Sequence, residues 1–156
     1  MSPAELLRFE HNFSDAGKAA LLAVGITPAR SFEELGDLPA NRVVAEPSAF
    51  TRASGHMAFA ANRQPFYDHF TGTLTFIVTT KRDETGPALH REWLGKIRAL
   101  MTRPRQAFKG LPYKIIKLED GAGSITNVND GERDRSELVY TIELGIPGAL
   151  MDYAQA

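Results

Sequence analysis

Residues 70–80 read FTGTLTFIVTT, and this stretch decides the fold class. Apolar residues and threonines alternate along it, which is the period of two that a β-strand requires. Ile77 is the one large apolar residue on the threonine face, and the other face carries Phe70, Leu74, Phe76 and Val78. Such alternation is typical of a strand with one face on the core and one more polar face.

Three further strands are predicted from short apolar or alternating runs. The first spans residues 42–46, which read RVVAE, and is closed by Pro47. The second runs from Tyr113 to Leu118, and the third is the alternating run from Leu138 to Leu144. Together with the strand at 70–80, they predict a four-stranded sheet that is mostly antiparallel or mixed.

Two helices are predicted to cover the apolar face of this sheet. The first begins at Ser2, where Glu5 completes a capping box, and Gly25 is placed to end it. Its apolar residues recur at spacings of three and four: Leu6, Phe9, Phe13, Ala16, Ala20 and Val24. The second begins at Pro87 and is stopped by Pro104, and its apolar stripe is Leu89, Trp93, Ile97, Leu100 and Met101.

Two long polar segments separate these elements, and both are predicted as loops. They span about 48–68 and 119–135, and the first leaves room for a hairpin. Loops of this length inside a compact domain are usually functional. The predicted fold is therefore α+β in a single domain of residues 1–156, with both main helices on one face of the sheet and the order α-β-β-α-β-β.

The whole-chain composition excludes several classes of protein. There are 18 Lys and Arg against 19 Asp and Glu, a formal net charge of −1, so no chain-wide basic field attracts nucleic acid. The absence of cysteine excludes a disulfide framework, a thiolate metal site and a thiol nucleophile. No stretch approaches the roughly 20 apolar residues of a membrane span, and the N-terminus lacks a basic targeting region. We therefore expect a soluble protein made in a cytoplasm, with no membrane partner.

The search for catalytic chemistry gives one weak cluster. Asp68 and His69 stand beside aromatic residues, and together with His56 they support an enzyme hypothesis that requires the three side chains to converge in a pocket. The four histidines lack metal-ligand spacing, and the run 121–126 lacks the final glycine and following helix of a dinucleotide fingerprint. We therefore predict a non-enzymatic protein, with no catalytic, cofactor-binding or metal-binding residues.

Charge is unevenly distributed along the chain. No acidic residue lies between Glu92 and Glu119, whereas that interval holds seven basic residues: Lys96, Arg98, Arg103, Arg105, Lys109, Lys114 and Lys117. Residues 119–156 hold eight acidic residues and two basic ones, and three of the acids crowd into one predicted loop: Asp130, Glu132 and Asp134. Two interpretations remain open. The two segments neutralise each other within the monomer, or they present complementary charge to another subunit or a partner.

The progression of elements resembles a family of viral structural proteins. An N-terminal amphipathic helix leads through residues 32–35 (FEEL) and 38–39 (LP) into 41–44 (NRVV). The long strand GTLTFIVTT at 72–80, the helix WLGKIRALM at 93–101 and the paired closing strands follow. Over nearly the whole chain this progression is similar to the small tail-terminator and tail-completion proteins of tailed bacteriophages and prophages. Other head–tail joining and neck proteins share this progression of elements.

The resemblance implies a non-enzymatic structural role without a cofactor. Such proteins assemble as a ring, commonly a hexamer, at the end of the tail tube, where the ring stops tube growth and offers a surface to the head. The implied partners are other copies of the chain, the tail tube and the neck or connector proteins, with DNA passing through the ring. The implied location is the virion tail, after assembly in the bacterial host cytoplasm.

The resemblance also assigns roles to particular segments. It makes 48–68 and 119–135 assembly loops, and it places the basic stretch from Lys96 to Lys117 toward the lumen or an adjacent ring. One alternative is another neck or minor tail protein. A second is a small nucleic-acid-binding module that uses residues 96–117 and binds DNA in a salt-sensitive way. Phe108 and Tyr113 are too few in that segment to form a base-stacking pattern.

Overall fold

Five strands and four helices make up the described part of the chain, residues 2–29, 40–57, 67–129 and 133–147 of a computed structural model. The helices are α1 (Pro3–Leu6), α2 (Phe9–Ala23), α3 (Gly86–Met101) and α4 (Pro104–Ala107). The strands are β1 (Arg42–Pro47), β2 (Thr51–Met57), β3 (Tyr67–Lys81), β4 (Lys114–Asn129) and β5 (Arg133–Pro147). The predicted α+β class is confirmed.

The strands form one antiparallel sheet in the order β1-β3-β5-β4, and β2 pairs with the first part of β3. β3 and β5 pair along their whole length, from Tyr67 opposite Pro147 to Lys81 opposite Arg133. Backbone pairing on both sides makes β3 the centre of the sheet. The stretch that decided the fold class in the sequence is thus its central strand.

The even-numbered residues of β3 face the helices, as their alternation predicts. Leu74, Phe76 and Val78 are buried in one apolar cluster with residues from α2, α3 and the strands β1, β4 and β5. Members from the other elements include Phe9, Phe13, Leu21, Ile97, Met101, Leu138, Tyr140, Ile142 and Leu144. Both longer helices therefore pack on the same face of the sheet.

The N-terminal helix begins and ends as its sequence predicts. The backbone N–H of Ser2 donates to Glu5 Oε2 at 2.9 Å, and the N–H of Glu5 donates to Ser2 Oγ at 3.2 Å, which is the reciprocal pattern of a capping box. Gly25 has φ +80°, and the N–H of Ile26 donates to the carbonyl of Leu21 at 2.9 Å. This bond ends α2 in a left-handed Schellman turn, which glycine adopts without a Cβ penalty.

One helix from Ser2 to Val24 was predicted, and this is wrong because the chain leaves helical geometry at Arg8, whose φ is −82° and ψ 57°. Side chains satisfy the carbonyls that the break exposes. Asn12 donates to the carbonyl of Glu5 at 2.9 Å, and the hydroxyl of Tyr113 donates to that of Leu6. Burial raises the pKa of Tyr113, so its hydroxyl keeps the proton that it donates.

The predicted loops 48–68 and 119–135 are wrong over most of the residues that the structure describes. The first contains β2, so the described sheet has five strands rather than the predicted four. The second is mainly the distal half of the β4–β5 hairpin, in which Ile125 pairs with Leu138 and Asn129 with Asp134. The register shifts between Asp120 and Ile125, and such a bulge lets a glycine-containing polar segment remain in a ladder.

Pro104 was predicted to stop the second helix. That helix, α3, instead ends three residues earlier at Met101, and Pro104 opens the short helix α4. Proline suits this first position because it has no N–H to leave unsatisfied. The observed order is therefore α-α-β-β-β-α-α-β-β within the described residues rather than α-β-β-α-β-β.

Candidate functional site

The basic residues predicted from the sequence lie along one path through the fold. Lys96 and Arg98 are on the C-terminal half of α3, Arg103 lies between α3 and α4, and Arg105 is in α4. Lys109 is in the turn that follows α4, and β4 begins with Lys114 and includes Lys117, whose side chain lies outside the described part. The exposed residues Arg98, Arg103, Arg105 and Lys109 are called the basic end below.

Two buried aromatic residues hold the turn that carries the basic end. Phe108 is 3% exposed and lies edge-on to Phe13 of α2, with ring centroids 5.8 Å apart. Tyr113 is 7% exposed and stacks on the same ring, also at 5.8 Å. Because both rings point into the core, neither is available to stack on a nucleobase, and the intervening cation, Lys109, points to solvent.

The four cations of the basic end form no ion pair with the carboxylates that the structure describes. Lys96, by contrast, lies 3.2 Å from Glu92 on its own helix. A cluster of exposed, like-charged side chains is unfavourable by itself, because each cation raises the potential felt by the others. Binding of an anionic partner to the basic end would therefore be favourable.

Asp134, the one predicted acidic interface residue that the structure describes, lies at the tip of the β4–β5 hairpin. Asp134 stands opposite Asn129, whereas Lys114 stands opposite Gly145 at the other end of the hairpin. The paired stretch of β5 from Asp134 to Gly145 corresponds to about 36 Å of extended strand, because the extra residues of β4 lie in its two register shifts. Lys114 and Asp134 are therefore too far apart to form an ion pair within one monomer.

Asp134 is also already engaged. Its Oδ1 lies 3.0 Å from Nε of Arg82, and the neighbouring Arg135 lies 2.7 Å from Oε1 of Glu137. Asp130 and Glu132, the other two predicted interface acids, lie outside the described residues. In the strands, Lys117 lies opposite Glu143 in the register, so the basic and acidic segments are neighbours in the sheet there.

Two depressions adjoin the basic end. One has a volume of about 410 Å³ and is lined by Arg105, Lys109 and Lys114 over an apolar floor. The other, of about 480 Å³, is a groove between α2, α3 and α4 that Arg103 and Lys109 flank. Its walls are small residues, Ala19, Ala20, Ala23, Ala99 and Ala107. Both can accept a partner that carries negative charge beside small or apolar groups.

The residues of the enzyme hypothesis are only partly described. His69 Nδ1 lies 3.4 Å from Oε1 of Glu143, and the side chains of Asp68 and His56 lie outside the described part. Pairing of Met57 with Asp68 brings the two segments side by side in the backbone. Convergence of the three side chains thus stays a prediction.

A buried polar cluster was missed in the sequence. His90 of α3 has its Nδ1 2.9 Å from Thr80 Oγ1 and its Nε2 2.7 Å from Ser136 Oγ. All three side chains are buried, so the cluster has no route for a substrate. Thr80 and Ser136 have even numbers, and the even-numbered residues of their strands face the core, which was the one sign of the cluster in the sequence. The spacing of residues 80, 90 and 136 gives no further indication that they meet.

Metal and membrane features are absent from the described residues. They contain no group of three or more potential metal-ligating side chains, and none of their helices is long and apolar enough to cross a membrane. Among known proteins, no family model matches the chain and no curated sequence matches it significantly. We therefore infer function from the basic end, the fold and the resemblance in sequence pattern.

Proposed function

We propose that the protein is a phage structural subunit that assembles as a ring at the end of the tail tube, stops tail growth and joins the tail to the head. The observation that carries the proposal is the basic end, which has no ion pair among the described residues although the whole chain has a net charge of −1. In such a nearly neutral chain, a local excess of cations is matched by anions placed elsewhere. The basic end of one copy can therefore meet anionic groups of a neighbour.

Separation of charge within one molecule favours a head-to-tail arrangement of copies. When each copy binds a different surface on the next, the copies form a closed ring if the rotations between successive copies add up to a full turn. The rigid mounting of the basic end supports this role, since Phe108 and Tyr113 fix the turn that presents it. A preorganised surface loses little conformational entropy on association.

The edge of the sheet favours assembly through side chains. β4 is an edge strand within the described sheet, and its register shifts twice, between Ile115 and Lys117 and between Asp120 and Ile125. Bulges and lysines on an edge strand oppose indiscriminate strand addition. Contacts between copies are thus directed to the basic end and the adjoining groove.

In this proposal the partners are other copies of the chain in a ring of six, the tail tube and the neck or connector proteins, with DNA passing through the ring. The location is the virion tail, reached after assembly in the bacterial host cytoplasm. No step requires a catalytic residue or a cofactor. An assembly subunit of this kind works by offering complementary surfaces in a fixed geometry.

Electron microscopy of the concentrated protein, alone and mixed with isolated tail tubes, tests the proposal. Rings in the first sample and capped tube ends in the second are expected. Arg98→Glu reverses one charge of the basic end, and Arg91→Glu is its matched control, because Arg91 is an exposed arginine two turns earlier on α3. The proposal fails if only monomers are seen and no tubes are bound.

Nucleic-acid binding is the second candidate, and the depression lined by Arg105, Lys109 and Lys114 favours it. With Phe108 and Tyr113 buried, such binding would run through phosphates rather than stacked bases. Each neutralised phosphate would contribute about 0.9 to the slope of log affinity against log salt concentration. A filter-binding titration with duplex DNA at low and moderate salt measures this slope, and indifference to DNA at low salt removes the candidate.

A further inference from the structure

The face of the sheet opposite the helices carries a row of three polar residues on neighbouring strands. Arg42 of β1 pairs with Thr79 of β3, and Thr79 pairs with Arg135 of β5. Directly paired residues of antiparallel strands point to the same face, and adjacent strands lie about 5 Å apart. The two arginines therefore flank Thr79 at a backbone separation of about 10 Å, which suits convergence of two guanidinium groups on one small ligand.

Thr79 lies at the centre of this row with an unsatisfied hydroxyl. It is only 3% exposed, and its Oγ1 has no hydrogen-bond partner among the residues that the structure describes. Buried hydroxyl groups are almost always hydrogen-bonded, because leaving one unpaired is unfavourable. A ligand oxygen between the arginines would accept this missing bond.

Further positive charge surrounds the row. Lys81 pairs with Arg133 two residues beyond Thr79, so both positions are on the same face. The pKa of Arg42 is lowered, chiefly because burial disfavours its charge and then because Arg133 and Arg135 repel it. Glu137 bonds Arg135 through one Nη2 contact of 2.7 Å, and a guanidinium has five N–H donors, so others can serve a ligand.

A shallow pocket of about 550 Å³ adjoins the Arg135 end of the row on the same face. Its lining includes Arg135 of the row, the threonines Thr73 and Thr75, and two carboxylates, Glu46 and Glu137. Because these carboxylates repel an anion, the pocket serves as an approach to Arg135 rather than as the anion site itself. The excess of positive charge on this face is therefore confined to the end of the sheet where Arg42, Arg133 and Arg135 surround Thr79.

We propose that Arg42, Thr79 and Arg135 form a binding site for an oxyanion, a phosphate or carboxylate group of a small ligand. The two guanidinium groups supply charge-assisted N–H donors from either side, and Thr79 donates its hydroxyl from below. Planar guanidinium groups match the oxygen spacing of both anions. The site is separate from the basic end and does not depend on ring assembly.

NMR titrations with inorganic phosphate and with acetate test this site, with chloride at matched ionic strength as the control. Saturable shifts of the Arg42, Thr79 and Arg135 amide signals are expected with phosphate or acetate but not with chloride. The anion that binds more tightly identifies the ligand class. Shifts that do not saturate, or that chloride reproduces, would overturn the proposal.

Three variants decide whether these side chains hold the anion. Thr79→Val preserves the β-branched shape, removes the hydroxyl and is expected to weaken binding about tenfold, as loss of a hydrogen bond to a charged group does. Arg42→Gln is expected to weaken it further, whereas Arg91→Gln on the distant helix is expected to leave it unchanged. Equal affinity of Thr79→Val and the parent protein, or equal losses in Arg42→Gln and Arg91→Gln, would refute the site.

Discussion

His90 Nε2 lies 2.7 Å from Ser136 Oγ, and this contact fixes α3 to the fifth strand of the sheet. The other ring nitrogen lies 2.9 Å from Thr80 Oγ1, so one imidazole joins a helix to two strands inside the core. Either tautomer satisfies both contacts, because each hydroxyl can donate or accept. The cluster therefore positions α3, whose far end carries Arg98 of the basic end.

Replacing Ser136 with alanine is expected to destabilise the protein by about 1–3 kcal/mol, because His90 loses a buried hydrogen-bond partner. Urea denaturation gives the free energy of unfolding directly. Ser14→Ala on α2 is the control, and a change of at most about 0.5 kcal/mol is expected there, as at positions without a special contact. Equal effects of the two substitutions would contradict the role given to the cluster.

Stability is expected to fall as the pH drops below the ordinary histidine pKa of 6.5. Burial lowers the pKa of His90 in the folded protein, and Asp134 opposes this shift to a lesser degree. The unfolded state therefore binds more protons between pH 6.5 and the lowered folded pKa, so protonation favours unfolding in this window. Urea denaturation at several pH values measures the slope, and a His90→Gln variant with an unchanged slope would contradict this account.

Gly72 and Gly95 are expected to respond in opposite directions to substitution by alanine. A Cβ at position 72 would lie 2.6 Å from the ring of Phe50. That ring is stacked on Phe13, with centroids 4.9 Å apart, so it has little room to move. Gly72→Ala is therefore expected to cost about 1–3 kcal/mol, as overpacking does. A Cβ at position 95, on α3, meets nothing within 4 Å, so Gly95→Ala is expected to stabilise by about 0.5–1 kcal/mol. Thermal unfolding of both variants measures the contrast, and shifts of the same sign would contradict it.

Thr79→Val is expected to raise the free energy of unfolding by about 1 kcal/mol in a buffer without phosphate or carboxylate, because it removes an unsatisfied buried hydroxyl. Thr75→Val is the comparison on the same strand and face, where the threonine is only half-buried. Parallel urea titrations measure both. Destabilisation by Thr79→Val would show that its hydroxyl has a structural partner.

Local signals in the sequence predicted the parts of the fold that local interactions determine. The capping box at Ser2 and Glu5, the left-handed turn at Gly25 and the two faces of β3 all follow from neighbouring residues. The break at Arg8 was not predicted, and the carbonyl of Leu6 that it exposes accepts a hydrogen bond from Tyr113, more than a hundred residues away. The distal half of β4 was missed because its polar residues are held by pairing with β5 rather than by their own pattern.

The candidate sites likewise include one feature that the sequence predicts and others that only the fold reveals. The excess of positive charge at residues 96–117 is visible in the sequence, but the separation of Lys114 from Asp134 along the hairpin is visible only in the strand register. The row of Arg42, Thr79 and Arg135 joins three strands that are distant along the chain, so only the register reveals it. Predicting it would require knowledge of which strands are neighbours and which residues face each other.

The proposed ring assembly depends on the basic end, and electron microscopy of capped tail tubes tests it most directly. The parent protein is expected to occupy tube ends, and an Arg103→Glu/Arg105→Glu variant is expected to leave them open because its charge opposes an anionic partner. Both residues are exposed, so circular dichroism of the variant is expected to match that of the parent protein. Open tube ends with the parent protein, or equal capping by the two proteins, would contradict the account.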